Sequence, residues 1–266
     1  MRKRILFWPL FIVISSIVGY LLWIIPDLSV PAVKVKEVLE ITMTIPEGKT
    51  MSQITRVLVA KHLASTSDEV NNSAKDILEA HEFEWLRESV GLEGYLFPDT
   101  YRVYFKPQPK KVLKIMLTNF ERKVIPVVEE GKDLSPMKDL HSIITLASIV
   151  ERESPAGERG RIADIFIRRL HAGIPLQADS TVNYVTGGNK PSLTYNETKI
   201  DSLYNTYKYR GLPPGPIANP GLAAIRAVLH PTSNEYWYFL STKDGKIIYS
   251  KTLEEHNKAK AMYLRD

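Results

Sequence analysis

No cysteine occurs in the 266 residues, so a disulfide framework and thiolate metal sites are both excluded. No two histidines stand at metal-ligand spacing, no Gly-rich loop is set to cradle a phosphate, and no internal repeat or low-complexity tract is present. An excess of one charge sign is nearly absent as well. Of the +5 net charge, three units stand at Arg2, Lys3 and Arg4, leaving +2 over the rest of the chain with the signs interspersed. That pattern is an ordinary solvated surface and excludes a basic nucleic-acid stripe. The apolar fraction of 44% and the charged fraction of 24% are those of a folded protein, long enough for one or two domains with real cores.

What is present begins with a long uncharged run at residues 5–25. At ~1.5 Å per residue such a run spans a hydrocarbon core of ~30 Å. The basic residues before it and Asp27 after it predict a cytoplasmic tail at 1–4, a transmembrane helix at 5–25, a linker at 26–40, and everything further outside the membrane. Val30-Pro31-Ala32 loosely resembles a cleavage site, but a cleavable apolar core is only ~7–15 residues, which favours a retained anchor.

Beyond the linker the reading is α+β. Ile41–Ile45 alternates as a strand, Pro46-Glu47-Gly48 turns, and Ser52–His62 has helical spacing, a small βα unit. A polar stretch, 65–75, leads to a short helix through Leu78 and Leu86. Pro107-Gln108-Pro109 predicts a boundary, followed by an amphipathic helix over 110–124 and another over 161–171. Gly211-Leu-Pro-Pro-Gly-Pro is a stiff loop, since each proline fixes φ. Asn219-Pro220 is expected to cap a helix running to Leu229. Asp244-Gly245 between two apolar runs signals a late β-hairpin, and Thr252-x-x-Glu255 a capping box.

Residues 143–150 are the most apolar stretch outside the N-terminus, with Ser135-Pro136 as an expected start and Ser154-Pro155 as a stop. On a helix, Leu140, Ile144, Ala147 and Glu151 fall within about 40° of each other. A carboxyl group on that face, at the negative end of the helix dipole, is held towards its protonated form, as a general acid requires. The competing reading is an ion pair with Arg152, Arg159, Arg161 or Arg168. Glu153 also falls within the apolar arc, and periodicity does not choose between the two glutamates.

Further segments cluster aromatic, amide and carboxyl groups: Leu-Glu-Gly-Tyr-Leu-Phe-Pro-Asp-Thr-Tyr (92–101), Leu-Gln-Ala-Asp-Ser-Thr-Val-Asn-Tyr (176–184), Tyr-Asn-Thr-Tyr (204–207), Gly-Leu-Pro-Pro-Gly-Pro-Ile-Ala-Asn-Pro-Gly (211–221) and Glu-His-Asn (255–257). Singly, the rings read as core and Asp179 as an N-cap. Together they suit a groove for a polar polymer, flat rings for sugar faces and amides for hydroxyls. With Ala-Ser-Ile-Val-Glu-Arg-Glu (147–153), these motifs in this order and spacing resemble the endolytic murein transglycosylase family over roughly residues 41–265.

The resemblance implies a membrane-anchored bacterial enzyme of the cell wall. Its N-terminus would be cytoplasmic, and its catalytic domain, at 107–266, would be extracytoplasmic. Its substrate would be the glycan strands of peptidoglycan, with cell-wall synthases as candidate partners and no metal or cofactor. The family's catalytic glutamate falls on Glu151. Substrate contacts are expected from Glu93, Tyr95, Phe97, Gln177, Asp179, Thr181, Tyr204, Asn205, Thr206, Pro213 and Pro214. Members usually carry a longer LysM-like region than the shortened unit that fits within 41–106 here. Ser180 stands in place of a usual proline, and Arg168 in place of an asparagine. The implied reaction is non-hydrolytic cleavage of the MurNAc–GlcNAc bond. A muramidase, which needs a second carboxyl ~5–9.5 Å from the first, and an inactive peptidoglycan-binding scaffold are the alternatives.

Overall fold

The computed structural model describes residues 13–17, 19–20, 40–86, 91–104, 108–131, 137, 139–190, 192–242 and 244–264. The chain divides into two units, 1–38 and 39–266. In the first, residues 13–17 and 19–20 are helical. The rest of the expected span, the tail and most of the linker lie outside the described residues. Among the described residues no helix is long and apolar enough to cross a membrane.

The second unit opens with strand β1 (Glu40–Thr44) and helix α1 (Met51–Ala60). Thr50 and Gln53 form a capping box at the start of α1: the threonine hydroxyl accepts from the Gln53 N–H, and the glutamine carbonyl from that of Thr50. Helix α2 (Ser67–Glu79) is capped by Thr66 and occupies the stretch expected to be a polar connection. Its buried positions are Val70 and Ile77, with Ala74 and Leu78 packed beside them; the four stand at helical spacing within a stretch that is otherwise polar.

Strand β2 (Thr100–Tyr104) returns antiparallel to β1, with Ile41 opposite Val103 and Met43 opposite Tyr101. This pairing joins the expected small unit to the rest. Met43, Ile45, Ile54 and Leu58 belong to the same buried cluster as Leu113, Ile144 and Val228. The core thus runs straight across the boundary expected at 107–109. A strand and one helix alone bury too little apolar surface to stand apart.

Helix α3 (Pro109–Gly131) runs longer than expected and contains Pro126. Helix α4 (Leu140–Glu153) starts from Asp139, whose carboxylate accepts the Ser142 N–H; Ser135 and Pro136 lie outside the described residues. Every residue of α4 from Ile143 to Val150 is buried, so α4 is the central rod of the fold and not an amphipathic surface helix. Around it pack α5 (Arg159–His171), α6 (Asp179–Thr186) and α7 (Leu222–Leu229). The expected hairpin is present as β3 (Tyr238–Ser241) and β4 (Ile247–Ser250), with Leu240 opposite Ile248. Helix α8 (Leu253–Tyr263), opened by the Thr252–Glu255 capping box, lies against both strands.

Two expected caps are corrected. Asp179 is the first residue of α6 and Ala178 precedes it as cap, while Gly221, not Asn219, precedes α7. The Asn219 side chain ties loops instead. Its carbonyl accepts from the Leu96 N–H at 2.8 Å, and its amide donates to Lys49 O at 2.8 Å and to Glu93 Oε1 at 3.1 Å.

Candidate functional site

The last turn of α4 reaches the floor of an open cleft of about 1080 Å³. Its walls come from the turn after β1 (Glu47, Lys49), the segment Leu176–Ser180, Tyr207, and the face of β3 and α8 that carries Tyr238 and His256. Lys49 and Asn219 form an antiparallel bridge, which fixes the turn after β1 beside the start of α7.

Glu151 sits on that floor with its side chain 6% exposed. Arg159 Nη2 donates to its Oε1 at 2.6 Å, and the Gly221 N–H donates to its Oε2 at 3.1 Å. Of the two readings left open by the helical stripe, the structure realises the ion pair, and the partner is Arg159. Arg152 bonds Gly48 O and Asn189, Arg161 pairs with Glu158, and Arg168 with Asp164. Arg168 also reaches Asn234 and lies over the Trp237 ring; it is not among the cleft residues.

Three further carboxyls line the same cleft. Glu153 accepts the Ser180 N–H at 2.8 Å, and withdrawal from water pushes its carboxyl above the usual range against that hydrogen bond. Burial raises Asp179 as well, opposed by the Tyr207 hydroxyl that donates to it. Glu47 is raised by burial first and then by the charge of Glu151, while Arg159 pulls it down. On the opposite wall His256 stacks on Tyr238, centroids 5.3 Å apart, and the Arg169 guanidinium lies 4.9 Å from the centroid of the same tyrosine ring. Burial, with Lys260 and Arg169 nearby, lowers His256 to about 4, so its ring is neutral at neutral pH. A neutral stacked pair beside hydrogen-bonding groups suits a sugar face. Among the described residues no group of three or more His, Cys, Asp or Glu side chains is placed to hold a metal ion.

Of the expected contact residues, Gln177 and Asp179 line the cleft with Glu151. Gln177 is held at φ 52, a left-handed conformation rare outside glycine, while its N–H donates to Thr206 O at 3.0 Å. Thr181 and Thr206 lie in the layer beneath. Both are buried, their hydroxyl oxygens 3.0 Å apart, and Thr206 Oγ1 accepts the Ala178 N–H at 3.0 Å. Asn205 is fully buried and donates to Thr198 O and Ile200 O, so it shapes the loop without facing the cleft. Tyr204 tilts against Tyr184, centroids 5.1 Å apart.

Glu93, Tyr95, Phe97, Pro213 and Pro214 are also absent from the cleft. Both Glu93 oxygens accept the Met51 N–H, at 2.9 and 3.1 Å, so the carboxyl caps α1 from below; burial pushes it up to about 7, against the hydrogen bonds from Met51, Tyr184 and Asn219. Tyr95 packs edge-on to Phe120, and Phe97 is 6% exposed in the same core. His141 links Tyr95 to the Pro214 carbonyl: Nε2–H donates to Pro214 O at 2.9 Å, and Nδ1 meets the Tyr95 hydroxyl at 3.1 Å. These contacts occupy the first turn of α4, at the end away from Glu151.

Sequence reasoning missed Glu47, the Gly221 N–H, Arg169 and Tyr238. None had a local signal: Glu47 sits in a turn that any Pro-Glu-Gly would make. A Cβ on Gly221 would stand 1.8 Å from Glu47 Oε1, so glycine there is what lets the Glu47 carboxyl lie over the N–H that binds Glu151.

Residues 26–262 match the YceG-like family. The chain is similar to an endolytic murein transglycosylase of Bacillus subtilis, 36% identical over 84% of this chain and 65% of that one. It is also similar to one of Streptococcus pneumoniae serotype 2, 32% identical over 82% of this chain and 43% of that one. The chain thus spans between about two fifths and two thirds of the length of these relatives. A crystal structure described as a yceG-like protein of Listeria monocytogenes superposes with a TM-score of 0.74 at 36% identity, over 82% of this chain and 75% of that one. A matched span covering nearly the whole chain, with a solved relative of the same fold, leads to one assignment: the chain belongs to the YceG-like family.

Proposed function

We propose that the cleft takes a glycan strand of peptidoglycan and that Glu151 is the acid that cuts it, as an endolytic lytic transglycosylase. The observation that carries this is the placement of Glu151: a nearly buried carboxyl on the floor of an open polar cleft, in the last turn of a helix buried from Ile143 to Val150. The names of the Bacillus and pneumococcal relatives support the reaction class.

In this reading Glu151 gives its proton to the oxygen joining N-acetylmuramic acid to N-acetylglucosamine, and the C1–O bond breaks. The C6 hydroxyl of the muramic sugar attacks the cationic C1 and returns a proton to Glu151. The product is a 1,6-anhydro end, and the carboxyl is restored. An internal nucleophile competes well with water because its effective molarity is high. The uncharged run at 5–25 would anchor the chain in the bacterial inner membrane, N-terminus inside and cleft outside, within reach of cell-wall synthases.

A hydrolytic reading has its own support, since Glu47, Glu153 and Asp179 supply carboxyls in the same cleft that water attack would use. Mass spectrometry of fragments released from purified strands separates the two. Anhydro ends from within strands are expected, and new reducing ends would replace this reading with the muramidase. No fragments at all from the intact protein would favour the scaffold.

A further inference from the structure

Arg159 serves two carboxyls. Its Nη2 stands 2.6 Å from Glu151 Oε1 and 3.4 Å from Glu47 Oε2. Its Nε is buried with no hydrogen-bond partner, so the guanidinium is held by these carboxylates and is not locked by a full set of bonds. Behind it lies a shallow cavity of about 360 Å³ that Arg159 lines with Gly160, Arg226 and His230. Glu47 is the more exposed of the two acids, at 47% against 6% for Glu151.

One guanidinium between two carboxylates leaves one negative charge over, which a single proton neutralises. In the arrangement seen, Arg159 lies closer to Glu151 than to Glu47, so Glu151 is the acid that the guanidinium holds. A general acid needs the opposite distribution. We propose that Glu47 is a positioning residue that acts on Glu151 through Arg159: the guanidinium moves towards Glu47, and Glu151 takes up the proton that cleavage of the glycosidic bond consumes. An O–H bond forms at Glu151 with a proton from solvent in the open cleft, while the arginine changes partner to Glu47, so the trio gains one positive charge. The raised position of the Glu47 carboxyl, caused by burial and by Glu151, agrees with this.

Other charged or titratable groups around the trio are Lys49 from the turn after β1, Arg152 and Glu153 from α4 itself, Arg226 and His230 from α7 and its end, and Arg169, Asp179, Lys190 and Lys260 along the cleft. Arg152 is engaged by Gly48 O and Asn189, and Glu153 by the Ser180 N–H. From the start of α7 the contact to Glu151 is the Gly221 N–H, at 3.1 Å. Arg159 is the cation shared between the two acids.

The inference rests on the proposed role of Glu151, and the test separates the two. Rates of strand cleavage against pH are measured for wild type, Glu47→Gln, Arg159→Gln and the double variant, with Glu151→Gln as reference. Glu47→Gln removes the competing charge, so Arg159 stays on Glu151. The rate at neutral pH should fall roughly tenfold or more, and the falling limb of the profile should move about one pH unit towards acid, with KM little changed. Arg159→Gln should move that limb the other way, and the double variant should recover activity relative to Glu47→Gln alone. An unmoved limb in Glu47→Gln, or simple multiplication of the two losses, would overturn the proposal. If Arg159→Gln does not fold, Arg159→Lys takes its place, and the Glu47→Gln limb alone remains decisive. Undiminished cleavage by Glu151→Gln would refute the role of Glu151 itself, a different failure.

Discussion

The two ends of α4 are built from the same kinds of residue and do opposite things. At the first turn, Tyr95, His141 and the Pro213-Pro214 loop close over one another, and Gly94 lets the chains touch: a Cβ there would stand 2.5 Å from Pro216 and 3.0 Å from Ile144. At the last turn, Glu151, Asp179, Gln177 and the Tyr238–His256 stack surround open space. A tyrosine, a histidine and an acid occur at both ends: Tyr95, His141 and Asp139 at one, Tyr238, His256 and Glu151 at the other. What differs is whether the loops meet over the helix or stand apart, and that is a matter of backbone path, not of composition.

The comparison is tested most strongly at the open end. Glu151→Gln should lower strand cleavage by roughly 10²–10⁴-fold, the usual worth of a general acid, while the unfolding midpoint stays near that of wild type. Glu153→Gln should keep much more activity, since that carboxyl caps the start of α6 through the Ser180 N–H. Equal losses in the two would erase the distinction between floor and wall.

At the closed end, Gly94→Ala should cost about 3 kcal/mol in chemical denaturation, because φ is +89 and the new methyl meets the Pro216 ring. A variant as stable as wild type would show that the loops there are loosely packed.

Glu93 gives a pH test of the same contrast. Its folded carboxyl, at about 7, lies above the ordinary 4.5, so between those values the folded state binds the extra proton. Stability should therefore fall as pH rises from about 4.5 to 7, by on the order of 3 kcal/mol, and level off above. Glu93→Gln should flatten that slope without moving the pH profile of cleavage, read by thermal melts alongside rates. The smallest effect is expected of Tyr95→Phe. It loses one hydrogen bond to His141, roughly 1 kcal/mol of stability, and leaves cleavage unchanged. A large loss of activity would return Tyr95 to the site.

Much of the fold was legible where a local rule has a local cause. The Asp244-Gly245 hairpin, the Thr252 capping box and the apolar helix that carries Glu151 each follow from a few neighbouring residues. Helix α2 was read as a polar connection because its stripe of Val70, Ala74, Ile77 and Leu78 is set among nine polar residues. The site divides in the same way. Glu151, Gln177 and Asp179 stand in motifs dense enough to be noticed. Tyr95, Phe97 and Thr206 stand in motifs just as dense and turn out to be core or underlayer.

By itself the sequence determined the family motifs, the helix whose last turn carries Glu151, and the lack of cysteine chemistry. Helical period and turn chemistry are properties of adjacent residues, and they act before the chain is folded. Only the tertiary structure decided which of four arginines meets Glu151, that Glu47 shares it, and that the β1–β2 pairing makes the expected small unit part of the main core. Those contacts join Glu47, Glu151, Arg159 and Gly221, residues up to 174 positions apart in the numbering. No local preference encodes such a meeting; it is set by how the buried faces of α4, α5 and α7 pack together.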